Sequence, residues 1–495
     1  MQIDSAVQRV REMLISFGRR LVPHALPLLF VTLAVAIGQY VTFWNHPLIM
    51  IFHGDSTGYI AFANSMLASL HVFDTGRTPG YPLVLAIIFD LTGGQNLLVV
   101  VFTQTALLIQ AIYMVYLLVF RLSRNQWTAM VVAMLLGLNT YLLNWEREIL
   151  SEPITVWLLV MTFVLIERYV RAQRPGYLIA LTALMTYGVF TRPFYAYIPA
   201  LVFVVLLLHA WRNKHAQQEW KRLLAALLVA YGLVGGFVLG NGLAYGYYGI
   251  SEVSSINLFA KVMEYQMQTE YTDPQYAQIS AQLDTFEQQG GGVAPFVFLN
   301  HRYRQYEQDH YAFAADYAKD IFIHHPVEYA WHSLGDTWLA MTLPQIYYDQ
   351  HHVDPSWFAP VTQVAAWSMY TYLFLPLIII ASFVWWWRQP RSGVAVIILL
   401  LALTQLGALL EIGFLSYAYP YRLRMPLDWS MLAMTGVLLA LAFQWIRRRV
   451  RDRAGQTSAA GGPPAPSDEQ TPDDDTRAIR PHSVPLTGNA ARVIW

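Results

Sequence analysis

The chain has no cysteine among its 495 residues. That excludes disulfides, thiolate nucleophiles and Cys-ligated metals, without fixing the compartment. It is also short of charge, with only 13% Asp, Glu, Lys and Arg against about 25% in soluble domains. Acid and base cancel to a formal net charge of +0, so no basic surface for nucleic acid is expected. What is abundant is apolar: 56% of residues are hydrophobic. They fall in runs of about 20, the length a helix needs to cross a bilayer.

The expected fold class is therefore all-α, a polytopic integral membrane protein. Hydropathy gives about ten spans, near 25–43, 96–120, 128–144, 150–167, 177–191, 194–211, 222–245, 361–387, 393–414 and 427–446. Pro193 breaks the join between the two short ones, because it has no backbone N–H to donate. Residues 1–24 read as a basic, amphipathic cytoplasmic start ahead of an uncleaved first span. Residues 25–446 form the membrane domain. Residues 447–495, with "GGPPAPSDEQTPDDD", have the composition of a disordered cytoplasmic tail.

Starting inside, the alternate segments 1–24, 121–127, 167–176, 211–222, 388–391 and 447–453 hold about 20 of the 32 basic residues, as the positive-inside rule requires. Trp385, Trp386 and Trp387 sit where an interfacial aromatic belt belongs. Five arginines fall on the other side, near membrane level: Arg77, Arg147, Arg192, Arg422 and Arg424. Each could be structural, paired with a carboxylate or a lipid headgroup. Together they point to a shared anionic ligand, because a guanidinium grips phosphate oxygens in two-point fashion.

Two long outward segments flank them, an outer loop at 44–96 and an outer helical cap at about 246–360. In the first, Asp55 and Ser56 suit a helix start, and Tyr59 lies one turn on from Asp55. "RTPGYP" follows. There, Pro79 and Pro82 are expected to stop a helix while Gly80 lets the chain turn, fixing Arg77 at a cavity edge. The third outward loop, "NWEREILSEP", offers Glu146, Arg147, Glu148 and Glu152, the last able to cap the next helix. In "SYAYPYRLRMPLDW", Arg422 and Arg424 would point the same way if extended, amid Tyr417, Tyr419 and Tyr421. The cap holds a Gly290–Gly292 hinge and metal candidates His324, His325, Asp349, His351, His352 and Asp354, although adjacent histidines on a helix diverge.

In order and on one face, "GDSTGYIAFA" (Gly54–Ala63), "RTPGYPLVLA" (Arg77–Ala86), "EILSEP" (Glu148–Pro153) and "TRPFYAYIPA" (Thr191–Ala200) resemble the bacterial GT-C membrane glycosyltransferases. That group includes the protein O-mannosyltransferases and the lipid A aminoarabinose transferases. "HHPVEYAWHSL" (His324–Leu334) and "YPYRLRMPL" (Tyr419–Leu427) add to the resemblance, which spans most of 25–446. It implies a GT-C-type fold with a small extracytoplasmic cap. It also implies transfer, with inversion, of a sugar from a polyprenyl-phosphate donor to a glycan, lipid or protein acceptor. Asp55 would be the catalytic base and Glu152 a second acid, with Glu148 its rival. Arg77, Arg192, Arg422 and Arg424 would hold the donor phosphate, Arg422 and Arg424 foremost. Tyr59, Tyr81, Glu148 and Tyr421 would line the substrate. Some relatives carry two adjacent acids where Gly54 precedes Asp55 here, so a divalent cation (Mg or Mn) is left open as a cofactor. The resemblance places the chain in a bacterial cytoplasmic membrane with its site facing the exterior. The competing reading is a transporter or flippase for a lipid-linked sugar, which would show internal repeats and midplane polar groups.

Overall fold

The computed structural model describes residues 22–45, 47–51, 54–213, 216–269, 274, 277–286, 288, 299, 311–342, 356–361, 363, 368–417 and 420–460. Among them all regular elements are helices, apart from one isolated parallel bridge between Met50 and Glu148. Among the described residues eight helices are long and apolar enough to cross a membrane, and there is a ninth span if the pair Gln126–Gly137 and Thr140–Arg147, bent by 54°, is counted as one. The expected span at 177–191 corresponds to Pro175–Thr191, an apolar helix of 17 residues that is too short to count among the eight. This is a multi-pass membrane protein.

The helices that position the site are α1 (Ala25–Asn45), α2 (Asp55–Ser69), α3 (Gly80–Thr92), α4 (Leu97–Ser123), α5 (Gln126–Gly137), α6 (Thr140–Asn144), α7 (Glu152–Ala172), α8 (Pro175–Thr191), α9 (Tyr197–Arg212) and α10 (Ala216–Tyr245). In the second half they are α11 (Val253–Glu264), α12 (Ala277–Phe286), α13 (Ala312–His324), α14 (Pro326–Thr342), α15 (Leu375–Arg388), α16 (Gly393–Leu415) and α17 (Pro420–Ala460). The chain divides into two compact units, 1–442 and 443–495. Helix α17 runs unbroken through the expected tail boundary at 447 to Ala460, and the remainder of the tail lies outside the described residues. So does the Gly290–Gly292 hinge.

The spans differ in how much they bury: α16 is buried all round over 395–402, whereas others bury only one side. In α1, Val31, Ala34, Val35 and Val41 are buried while Leu29, Phe30, Leu33 and Ile37 stay exposed. That pattern suits a helix with protein on one face and lipid on the other. Because lipid is as apolar as leucine, close packing rather than hydrophobicity draws such helices together. Glycines permit it here. A Cβ on Gly38 would stand 2.1 Å from the Gly137 carbonyl oxygen, and one on Gly137 would meet Val35 at 2.8 Å.

The basic ends of three spans are tied together. Glu167 takes Arg121 at 3.3 Å and Arg171 at 2.5 Å, and Glu219 accepts from Tyr169 at 2.5 Å and pairs with Arg222 at 3.0 Å. At the opposite end, α11 and α13 form a small second core around Phe259, Tyr317, Ile321 and Tyr329. It is moored to α16, where Tyr265 and Tyr329 donate to the Gly413 and Phe414 carbonyls.

Candidate functional site

The site begins with a short loop that ends in "RTPGYP". Asp74 Oδ1 accepts the backbone N–H groups of Gly76 and Arg77 at 2.9 and 2.6 Å, an Asx turn that sets the direction in which Arg77 leaves the chain. From α10 and its following loop, Asn241 donates to the Asp74 carbonyl, Ser251 donates to the Gly76 carbonyl, and the Glu252 N–H donates to the Thr75 carbonyl. The prolines do not stop a helix, as the sequence suggested. Pro79 is the N-cap of α3 and Pro82 lies in its first turn, where a missing N–H costs nothing. Gly80 is also not there for a tight turn. A Cβ on it would lie 2.5 Å from the Thr191 amide nitrogen and 2.6 Å from the Phe190 carbonyl, and Tyr187 donates to the Gly80 carbonyl at 2.7 Å. A glycine is needed because two backbones touch. Gly80→Val is therefore expected to cost about 1–3 kcal/mol of stability, seen as a lowered midpoint of thermal unfolding of the purified chain. An unchanged midpoint would mean that α8 yields freely.

Asp55 is the first residue of α2, preceded by Gly54 at φ 86°, a conformation few other residues adopt. Its side chain caps nothing. Instead Oδ1 pairs with Arg77 Nη2 at 2.6 Å and Oδ2 with Arg422 Nη2 at 2.8 Å. Glu152 opens α7 and is fully buried; its Oε1 takes Arg422 Nε at 2.5 Å and Arg192 Nη1 at 3.2 Å. Arg192 sits between α8 and the short 3-10 turn at Pro193, where the expected helix break is found. One guanidinium thus bridges two acids that are far apart in sequence, and Trp145 lies beneath it at 5.8 Å from ring centroid to Cζ. Arg77 likewise lies over Tyr59 at 4.9 Å.

The cluster holds three guanidinium groups against two carboxylates, an excess of positive charge in a partly sheltered place. Among the described residues Glu152 Oε2 has no hydrogen-bond partner, and the 3.2 Å approach of Arg192 Nη1 to Oε1 is an ion pair without hydrogen-bond geometry. Burial pushes the Asp55 pKa up, but the charges of Arg77 and then Arg422, with their hydrogen bonds, outweigh it and hold the carboxyl below its ordinary value. Arg77 is held above its own ordinary value: burial opposes this, but Tyr59 and Asp55 prevail.

Other residues proposed from sequence lie elsewhere. Arg424 and Arg422 do not point the same way, because the segment is helical rather than extended. Arg424 is fully buried, binds Asp428 at 3.1 Å and the Ala340 carbonyl, and so anchors α17 to α14. Tyr81 is also fully buried: its hydroxyl donates to Gln104 at 2.7 Å and its ring meets Tyr59 edge-on. It supports the wall rather than lining an open surface. Glu148 is buried in the bridge with Met50, and Tyr421 is half-buried beside Arg422. Gln104, unnoticed within an apolar run, donates to the Glu146 and Glu148 carbonyls at 2.9 and 2.8 Å. It thereby pins the loop that delivers Glu152.

For a metal, the donor set fits poorly. Among the described residues no three His, Asp or Glu side chains converge as a metal site would need, and both central carboxylates already face guanidinium groups. His324 lies against the Asp320 carbonyl and His325 near Glu328. Asp349, His351, His352 and Asp354 lie outside the described residues.

Residues 76–234 match the family described as dolichyl-phosphate-mannose-protein mannosyltransferase. The resemblance to GT-C membrane glycosyltransferases holds over that stretch, which carries Arg77, Glu152 and Arg192. No curated protein sequence matches. Among solved structures, the oligosaccharyltransferase AglB from Archaeoglobus fulgidus, in complex with an inhibitory peptide and a dolichol-phosphate, is similar at 15% identity and a TM-score of 0.44, covering 89% of this chain and 52% of that one. The same archaeal enzyme in complex with Zn and sulfate is similar at 15% identity and a TM-score of 0.33, covering 81% and 53%. ArnT from Cupriavidus metallidurans bound to undecaprenyl phosphate is similar at 13% identity and a TM-score of 0.33, covering 81% and 77%. The chain spans about half the length of the archaeal structures.

Proposed function

We propose that the chain is a membrane glycosyltransferase that uses a polyprenyl-phosphate sugar on the extracytoplasmic side, with Asp55 as general base. The observation that carries this is Arg422 joining Asp55 and Glu152 within a cluster whose guanidinium groups outnumber its acids. A phosphate entering there would be met by Arg422, Arg192 and Arg77, with Glu152 holding the first two in place. Nucleotide sugars are cytoplasmic, so a site at the end opposite the basic segments needs a sugar already activated in the membrane.

In the reaction, the acceptor hydroxyl loses its proton to Asp55 as its oxygen attacks the anomeric carbon from the face opposite the phosphate. The bond from that carbon to the phosphate oxygen breaks with inversion. The negative charge gathering on the departing polyprenyl phosphate is stabilised by the arginines, which are already oriented and need no reorganisation. A phosphate that competes with Asp55 for Arg422 would also free the carboxylate to accept a proton. Among the described residues no donor set suits a resident metal, and no step is assigned to one.

The test is transfer of a labelled sugar from a polyprenyl-phosphate donor by the purified chain in membranes. Covalent transfer supports the reading; movement of the donor across the bilayer without a new bond would support the flippase instead. The pH profile gives a second check. Because Arg77 and Arg422 hold the folded Asp55 carboxyl below the ordinary carboxylate range, it stays ionised throughout the neutral and mildly acidic range. Its contribution is complete above the ordinary carboxylate range and is lost only as pH falls through the lower folded value. Transfer at limiting donor is therefore expected to stay level from pH 7 down to about pH 4. An acid limb near pH 6 would show that another group is the base.

A further inference from the structure

Arg147, one of the five outward arginines, has no part in the cluster above. It is 3% exposed, at the end of the bent α5–α6 segment. Its charge is met only loosely: Glu146 Oε1 stands 3.9 Å from its Nε, and the Phe43 ring centroid lies 5.6 Å from its Cζ. Among the described residues neither Nε nor Nη1 has a hydrogen-bond partner. Glu146 is turned partly away, since Gln39 donates to its other oxygen at 2.9 Å. A buried guanidinium with two unused N–H groups is costly to maintain unless something accepts from it.

The guanidinium lines a cavity of about 290 Å³ between α1 and α4, together with Ala36, Gln39, Phe43, Phe102 and Thr105. The mouth is apolar and faces away from the protein: Tyr40, Phe43 and Phe102 are 58%, 53% and 57% exposed, all on membrane-spanning helices. A hydrocarbon wall leading to a buried cation matches an amphiphile with an anionic head.

We propose that this cavity is a second lipid site, separate from the Asp55–Glu152 cluster, which takes an anionic phospholipid of the surrounding bilayer. The phosphate accepts from Arg147 Nε and Nη1, and an acyl chain lies along Phe43 and Phe102. Gln104 and Tyr81 stand between the two sites. Gln104 carries the Glu146 carbonyl, Tyr81 donates to Gln104, and Tyr81 packs on the Tyr59 ring that lies under Arg77.

The experiment titrates the purified full chain in detergent with phosphatidylglycerol or with zwitterionic phosphatidylcholine, and counts retained lipids by native mass spectrometry. The wild-type chain is expected to keep phosphatidylglycerol in preference to phosphatidylcholine. Arg147→Gln should weaken that retention about tenfold, the worth of a charge-assisted hydrogen bond. Ala36→Trp fills the mouth from its exposed side and leaves every polar group in place, so it serves where Arg147→Gln fails to fold. It should abolish the preference. Equal retention of both lipids, or unaltered retention in both variants, overturns the proposal. So does full displacement by inorganic phosphate, which would make this an ion site, or by polyprenyl phosphate alone, which would make it part of the donor path. None of these readouts depends on sugar transfer, so the inference stands or falls apart from the proposed activity.

Discussion

Asp55→Asn is expected to lower sugar transfer by about 10²–10⁴-fold, the range that a positioned general base supplies, in a chain that still inserts and folds. The substitution keeps the shape and one hydrogen-bond acceptor for Arg77 or Arg422 but removes the charge and the basicity. Asp55 is about one quarter exposed, so losing its charge leaves Arg77 and Arg422 with water and Glu152 as partners rather than stranded. Donor binding should therefore change little or even tighten, since one competitor for the arginines is gone. Measuring donor affinity alongside turnover separates the cases. A loss confined to turnover fits the base, a loss confined to affinity would make Asp55 a binding residue, and wild-type turnover would remove it from the chemistry.

Arg422→Gln should be harsher, because it acts on stability as well as on transfer. Glu152 is fully buried and would keep only Arg192, at 3.2 Å, after losing a contact of 2.5 Å. Removing one member of a buried ion pair typically costs about 3–5 kcal/mol, because an uncompensated charge remains. Pairing the change with Glu152→Gln removes that charge. The double variant is expected to recover much of the thermal stability while transfer and donor affinity stay low. Recovery of transfer in the double variant would show that Arg422 serves only to neutralise Glu152. Arg422→Lys tests geometry, since an ammonium cannot bridge two carboxylates with the planar fork that a guanidinium offers.

Much of this was legible in the chain itself. Arginines on the side where the orientation rule disfavours them led to Arg77, Arg192 and Arg422, and the acids Asp55 and Glu152 stood out as charges in an apolar sequence. What the sequence could not give was which charges meet. Arg422 and Arg424 differ by two residues. Whether they share a face depends on whether the backbone is extended or helical, and Pro420 at the first helical position decides for the helix. Their side chains then diverge by roughly 200°, one to the acids and the other to Asp428. "RTPGYP" was misread for a related reason. Proline and glycine punctuate a chain in either direction, and only the contact of Gly80 with Thr191 shows that a helix starts there. Gln104 escaped notice because it is uncharged within an apolar run, and Trp145 because the charges beside it, Glu146, Arg147 and Glu148, drew the reading of its loop. The number of spans stayed soft because α8 is short for a crossing and because the α5–α6 pair, long enough together, is bent by 54° in its middle.

The partnership of Glu152 with Arg422 joins residues 270 positions apart, and synthesis is directional. Glu152 emerges from the ribosome long before its partner, and must enter or approach the bilayer with only Arg192 to accompany it for most of translation. Until α17 is threaded, the nascent protein holds an acid in search of a base, an unfinished state that cellular surveillance of membrane insertion can sense. A chain cut short before residue 420 is accordingly expected to be degraded rather than accumulate, which pulse-chase labelling would show.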